Sequence, residues 1–306
     1  MTAQHERSGV DAVLPAEAKD ALKHLDLYAR RTVDGFLYGL HQSRRIGVST
    51  DFDHHALYVP GAPLKHVDWK MSARHEKLFV KRYREETALA VWLVVDRSAS
   101  MLMQSGTSRT KYDCACRVAA CLAYLSLKQR DSVGLALASD TGTAWLPIRG
   151  ASTHLVRILE ALVAKPAAGA NRTEQAVRAI LERGARRGLI VVISDFMEDP
   201  TALQARLAAL GAMGHEVLLF HLRDETEEEF PFNRWVEFSD LENAAVRHRL
   251  DAVTLRNIYL EEYRALMDEW RAWAKKYNAH FVAARTDAAM ETVLAEYLVR
   301  RGGGQG

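Results

Sequence analysis

Two carboxylates and three hydroxyls in this chain are spaced so that one hard cation could be held between them. Asp96-Arg97-Ser98-Ala99-Ser100 is a D-x-S-x-S run directly after an apolar stretch, Thr173 closes the loop GANRT, and Asp195 follows a second apolar stretch, LIVVIS. In extended backbone alternate residues share a face, so a tight loop can turn the carboxylate of Asp96 and the hydroxyls of Ser98 and Ser100 to one side. Five oxygen donors without a histidine or cysteine suit Mg²⁺, with Mn²⁺ as a second candidate, whereas zinc takes imidazole or thiolate. A serine-rich turn alone is a weak signal; the three parts together on matching elements form a specific one. The alternative chemistry is a metal-dependent phosphohydrolase with Asp96 as the phosphoryl acceptor. Such enzymes usually carry a second Asp two residues on, where this chain has Ser98.

The elements that must position these residues read clearly in the centre of the chain. Ala88 to Val95, Leu189 to Ser194 and Glu216 to Leu222 are short, nearly continuous apolar runs, the pattern of strands buried on both faces of a parallel sheet. Between them, apolar residues recur at spacings of three and four from about Lys111 to Gln129, Ser152 to Val163, Thr173 to Arg183 and Thr201 to Leu210, which predicts helices. Val133 to Ser139 and the region of Trp145 add strands. A long helix from about Thr254 to Tyr277, the strand HFVAA and a helix from Ala288 to Arg300 complete the pattern. Strands alternating with helices imply right-handed βαβ units and a doubly wound α/β domain with a mostly parallel sheet and helices on both faces. Ligands of such sheets bind at the carboxyl ends of the strands near the switch in strand order, where Asp96 and Asp195 both stand. The expected organisation is a flexible N-terminus over 1–19, a helical segment and irregular arm over 20–86, the α/β domain over 87–300 and a flexible glycine-rich tail over 301–306.

Composition sets bounds. The 306 residues are 48% hydrophobic and 26% charged, and 41 basic residues against 39 acidic ones give a net charge of +2. That balance leaves no global footprint for nucleic acid or a membrane surface. No stretch reaches the roughly 18 apolar residues of a membrane span, and no apolar core of a signal peptide stands near the N-terminus, so a cytoplasmic protein is expected. Cys114, Cys116 and Cys121 fall within one predicted helix, a poor layout for a disulfide framework; Cys114 and Cys121 stand two turns apart, too far for one tetrahedral ion. They read as small, reduced core residues.

The oxygen set resembles the metal-ion-dependent adhesion site of von Willebrand factor A domains, with D-x-S-x-S after the first strand, a Thr in a later loop and an Asp ending the fourth. That resemblance implies Ser98, Ser100 and Thr173 as direct or near-direct ligands, and Asp96 and Asp195 acting through water. A longer stretch, GVSTDFDHHALYVPGAPLKHVDWKMSARHEKLFVKRYREETALAVWLVVDRSASM, resembles the bacterial family called domain of unknown function 58. The matching residues are Gly47, Phe52, Tyr58, Gly61, Asp68, Trp69, Ser72, Ala73, Arg74 and Glu85. Departures are Leu57 and His66, where that family usually has Arg, and Ala62-Pro63 after Gly61, where Asp is usual. The resemblance implies a non-enzymatic protein-binding module that works with a MoxR-type AAA+ ATPase, or takes its client through an acidic side chain, in chaperone-like assembly or maturation of a complex.

Other features have plain structural readings. His54, His55, His66 and His75 are irregularly spaced and read as surface or hydrogen-bonded residues. The acidic run Glu225 to Glu229 reads as a solvated loop, with a docking patch for a basic partner as the other reading. In the arm, Trp69 is expected to cover a sheet edge while Asp68 pairs with Arg74.

Overall fold

The computed structural model describes residues 15–43, 52–58, 67–75, 77–83, 88–106, 109–140, 143–232, 235–239 and 247–303. The chain forms two compact units, Gly35–Ala88 and a larger one made of Met1–Asp34 with Leu89–Gly306. Helix α1 (Ala16–Ser43) belongs to the larger unit up to Asp34.

In the smaller unit, strands β1 (Phe52–Leu57) and β2 (Phe79–Tyr83) pair antiparallel, and the short helix α2 (Trp69–His75) lies between them in sequence. The Asp68 carboxylate accepts the backbone N–H groups of Lys70 and Met71, both at 3.1 Å, and so caps α2. The Ser72 hydroxyl accepts the Phe79 N–H at 2.9 Å and ties α2 to β2. Trp69 does not cover a sheet edge as expected. It is 63% exposed, at the first position of the capped helix. Arg74 and His75 are exposed, the His75 ring lying edge-on to Phe79. Gly47, Gly61, His66 and Glu85 lie outside the described residues, as do the side chains of Phe52, His54 and His55.

The larger unit continues with β3 (Ala90–Asp96), a 3₁₀ turn (Ala99–Leu102), α3 (Lys111–Lys128), β4 (Ser132–Ala138), β5 (Ala144–Arg149), α4 (His154–Val163) and α5 (Thr173–Glu182). Then come β6 (Gly188–Ser194), α6 (Pro200–Ala212), β7 (Glu216–Arg223), α7 (Glu225–Glu229), β8 (Trp235–Ser239), β9 (Arg247–Asp251), α8 (Ala252–Lys276), β10 (His280–Arg285) and α9 (Met290–Gly303). Six strands form one sheet in the order β10-β7-β6-β3-β4-β5, and every neighbouring pair is parallel except the edge pair β4 and β5. The fold class is therefore the expected doubly wound α/β architecture. The chain leaves β3 toward β4 on one side and returns to β6 on the other, which puts the switch in strand order between β3 and β6.

The buried runs explain the central strands. All seven residues of β3 and of β6 are buried, and each fully buried Val, Leu or Ile contributes about 1.5–3 kcal/mol relative to an exposed one. Gly188 lets these strands close up at their start, since a Cβ there would sit 1.8 Å from the Ala90 carbonyl oxygen. Helix α3 is buried over most of its surface. Burial pushes the Cys114 thiol up to about 11 and those of Cys116 and Cys121 up to about 12, so all three free cysteines are inert core residues. Two elements depart from expectation. The segment after the acidic run folds back as the β8–β9 hairpin, and the acidic run itself is helix α7. Among the described residues no helix is long and apolar enough to cross a membrane.

His221 on β7 gives the fold a pH signature. Its ring lies among Phe196 and Phe281, and burial drives its pKa down to about 3. Below about pH 6.5 the unfolded chain gains a proton that the native state refuses. Stability is then complete above that value and falls by up to about 1.4 kcal/mol per pH unit as the pH drops toward the folded value. We expect wild type to lose about 2–3 kcal/mol more than His221→Leu between about pH 7 and pH 4.5 in urea denaturation. Equal losses would show that His221 is not the group responsible.

Candidate metal centre

Asp96 is the last residue of β3 and Asp195 follows the last residue of β6, so two neighbouring parallel strands deliver both carboxylates to the switch point, fully buried. Three donors hold Asp96. The Ser98 N–H reaches one oxygen at 2.9 Å, while the Ser194 hydroxyl at 2.6 Å and the Asn171 amide at 2.8 Å donate to the other. Burial, then repulsion from Asp195, pushes the Asp96 pKa well above the ordinary carboxylate range despite these bonds.

The two loops that carry the hydroxyls are laced together. Arg97 N–H donates to the Ala138 carbonyl, Ala99 N–H to Gly169 and Ala168 N–H to Arg97, each at 2.9 Å. Gly169 is needed at this crossing: its φ is +72°, and a Cβ would meet the Cβ of Asp140 at 2.5 Å. The Ser98 and Ser100 hydroxyls are 3.0 Å apart, and the Ser100 hydroxyl helps to hold the Asp195 pKa down. Asn171 links the second loop to the first, because its carbonyl oxygen accepts the Thr173 N–H at 2.7 Å while its amide holds Asp96. Thr173, at the start of α5, is 1% exposed and its hydroxyl has no hydrogen-bond partner among the described residues. A buried hydroxyl without a partner is costly, so this one marks a position where an acceptor or an ion would be stabilising.

The counter-charge to the carboxylates is Lys111, whose side chain is 0% exposed. Thr110 and Asp113 form a reciprocal cap at the start of α3, and the first helical residue, Lys111, sends its ammonium to Asp195 at 2.6 Å and to Glu227 at 2.5 Å. Burial opposes the lysine charge, but the two carboxylates outweigh it and hold its pKa above the ordinary lysine value. Burial would likewise raise Asp195; the charge and hydrogen bond of Lys111 overcome it and hold Asp195 below the usual range. Glu227 is raised by burial and by Asp195.

The acidic run is thus not a solvated loop throughout, because Glu227 turns inward to Lys111 and its second oxygen accepts the Asp224 N–H at 3.0 Å. Asp224 is itself buried, bonded to Ser105, Thr226 and Thr286. Arg223 and Arg285 engage Glu228 on the outer side. Sequence reasoning assigned no site role to Asn171, Ser194, Lys111 or Glu227. The first two stand in the motifs GANRT and LIVVIS; the signal for Lys111 is a charge at the first position of a helix whose following residues are almost all apolar.

Residues 55–294 match the family described as "Protein of unknown function DUF58". "Uncharacterized protein Rv1480" of Mycobacterium tuberculosis and "Uncharacterized protein Mb1516" of Mycobacterium bovis are each 28% identical over 270 residues, covering 87% of this chain and 84% of theirs. Among solved structures, the conserved hypothetical protein BatB from Bacteroides thetaiotaomicron is 17% identical, with a TM-score of 0.44 over 71% of this chain and 100% of that one. The SpRpn10 VWA domain is 12% identical, with a TM-score of 0.40 over 72% of this chain and 98% of that one. The family match covers most of the chain and takes in Asp96, Lys111, Thr173, Asp195 and Glu227 alike: the chain belongs to the DUF58 family.

Proposed function

We propose that this chain is a non-enzymatic, Mg²⁺-dependent protein-binding module with a metal-ion-dependent adhesion site of the von Willebrand factor A type. In this reading Ser98, Ser100 and Thr173 hold the ion, with Mn²⁺ as a substitute, and Asp96 and Asp195 act through water. The single observation that carries it is the buried, partnerless hydroxyl of Thr173 on a loop tied to Asp96 by Asn171. The donor set agrees, being hydroxyls and carboxylates only. When bound, the ion supplies an open coordination position for a partner's carboxylate. Ser98 and Ser100 orient each other, Ser194 and Asn171 fix the Asp96 carboxylate, and Lys111 fixes that of Asp195. The family resemblance supplies the partner class, a MoxR-type AAA+ ATPase or its client, recognised through an acidic side chain.

A phosphohydrolase using Asp96 gains no support from this geometry. Both oxygens of Asp96 are engaged by donors, which dulls a nucleophile, and Ser98 stands where a second carboxylate would be wanted.

Thr173→Val tests the reading, because it removes the hydroxyl at nearly constant volume. The apo variant should match wild type or exceed it by about 1 kcal/mol, since a buried polar group without a partner is lost. In Mg²⁺ at about 100 times the dissociation constant, wild type should gain about 2.7 kcal/mol and the variant almost nothing. Thermal melts with Mg²⁺ and with chelator decide between this and an ornamental loop, which would give equal Mg²⁺ shifts in both proteins. Hydrolysis of p-nitrophenyl phosphate by wild type, lost in Asp96→Asn, would favour the enzyme instead.

A further inference from the structure

We propose that Lys111 is the positioning residue that sets the electrostatic preference of this site, weakening its hold on the cation and strengthening its hold on a carboxylate ligand; this rests on the metal site proposed above. A lysine is almost never fully buried unless it is paired, and this one is clamped along its length. Its backbone N–H donates to the Met103 carbonyl at 3.1 Å, the cap of α3 fixes the start of its helix, and its ammonium bridges Asp195 and Glu227. Glu227 is held in turn by the Asp224 N–H within the cap of α7.

Charge counting gives the consequence. Asp96, Asp195 and Glu227 bring three negative charges into one buried cluster and Lys111 brings one positive charge, so a divalent ion completes a neutral set. Asp195 divides its charge between Lys111 and whatever stands in front of Ser100, which leaves a bound cation less compensated and more attractive to an incoming carboxylate. In a buried cluster these effects act at low effective dielectric and are poorly screened by salt. Removing the lysine charge should favour the cation and disfavour the acid. Removing the Glu227 charge should do the opposite.

The test measures two affinities on the full chain. Mn²⁺ binding is read by electron paramagnetic resonance of the free ion, and acid binding by Mn²⁺-induced broadening of the methylene protons of N-acetyl-aspartate amide. Lys111→Met should bind Mn²⁺ roughly tenfold more tightly and the acid roughly tenfold more weakly, and Glu227→Gln should shift both constants the other way. A purely structural role for Lys111 would loosen the site and weaken both affinities together. Constants that move in the same direction, or not at all, in Glu227→Gln would overturn the proposal; that variant keeps Lys111 and carries the test if Lys111→Met does not fold. Wild type that shows no Mn²⁺ site sensitive to Thr173→Val would instead bring down the metal site itself, an outcome read separately in the same titration.

Discussion

The structure depends on one electrostatic problem, the burial of two carboxylates side by side at the ends of adjacent parallel strands. Asp96 and Asp195 repel each other where water cannot screen them, and removing a charge from water is expensive unless it is paired and hydrogen-bonded. The surroundings answer this in two different ways. Asp96 is given hydrogen bonds, from Ser98, Ser194 and Asn171, and no cation pairs with it among the described residues. Asp195 is given an ammonium, Lys111, which must itself be balanced by Glu227, which in turn is fixed by the cap of α7. The asymmetry leaves Asp96 as the carboxylate still short of positive charge, with two serines and a partnerless threonine hydroxyl in the loops tied around it.

The fold makes that problem possible. A parallel sheet whose order reverses between β3 and β6 leaves a crevice at their carboxyl ends, and strands buried on both faces hold their last residues rigidly. Loops crossing such a crevice need partners for their backbone groups. The bonds among Arg97, Ala99, Ala168 and Gly169 supply them and bring the Thr173 loop against the serine loop. The ends of α3 and α5 enter the same place, one delivering Lys111 and the other Thr173. Strands β3 and β6, the 3₁₀ turn after β3, and helices α3, α5 and α7 therefore each bear on the site through one or two named residues.

The sheet and its carboxyl-end residues were legible in the sequence because continuous apolar runs such as LIVVIS leave little choice of structure, and the residue that ends each run is fixed with it. Asp96 and Asp195 could be named for the same reason, and Ser98, Ser100 and Thr173 from the hydroxyls of the loops D-x-S-x-S and GANRT. Lys111 carried only a weak local signal, a charge opening a largely apolar helix, and Glu227 carried none. Their roles depend on a contact 116 positions apart in sequence, and no local pattern announces that an acidic residue will turn inward. The acidic run read as solvated because charge runs usually are, and the capping box formed by Asp224 and Glu227 was visible only as composition. The hairpin β8–β9 lacked the alternation that marks a strand pair. Trp69 misled by its type, since a large aromatic residue suggests burial while a short capped helix can leave its first residue in solvent.

Anomalous diffraction from crystals grown in millimolar Mn²⁺ tests the central claim most directly. The account predicts one ion in the crevice between β3 and β6, roughly 2.0–2.3 Å from the hydroxyl oxygens of Ser98, Ser100 and Thr173, with Lys111 still on Asp195 and Glu227. An anomalous map without a peak there, together with Thr173 bonded to a protein acceptor, would contradict it.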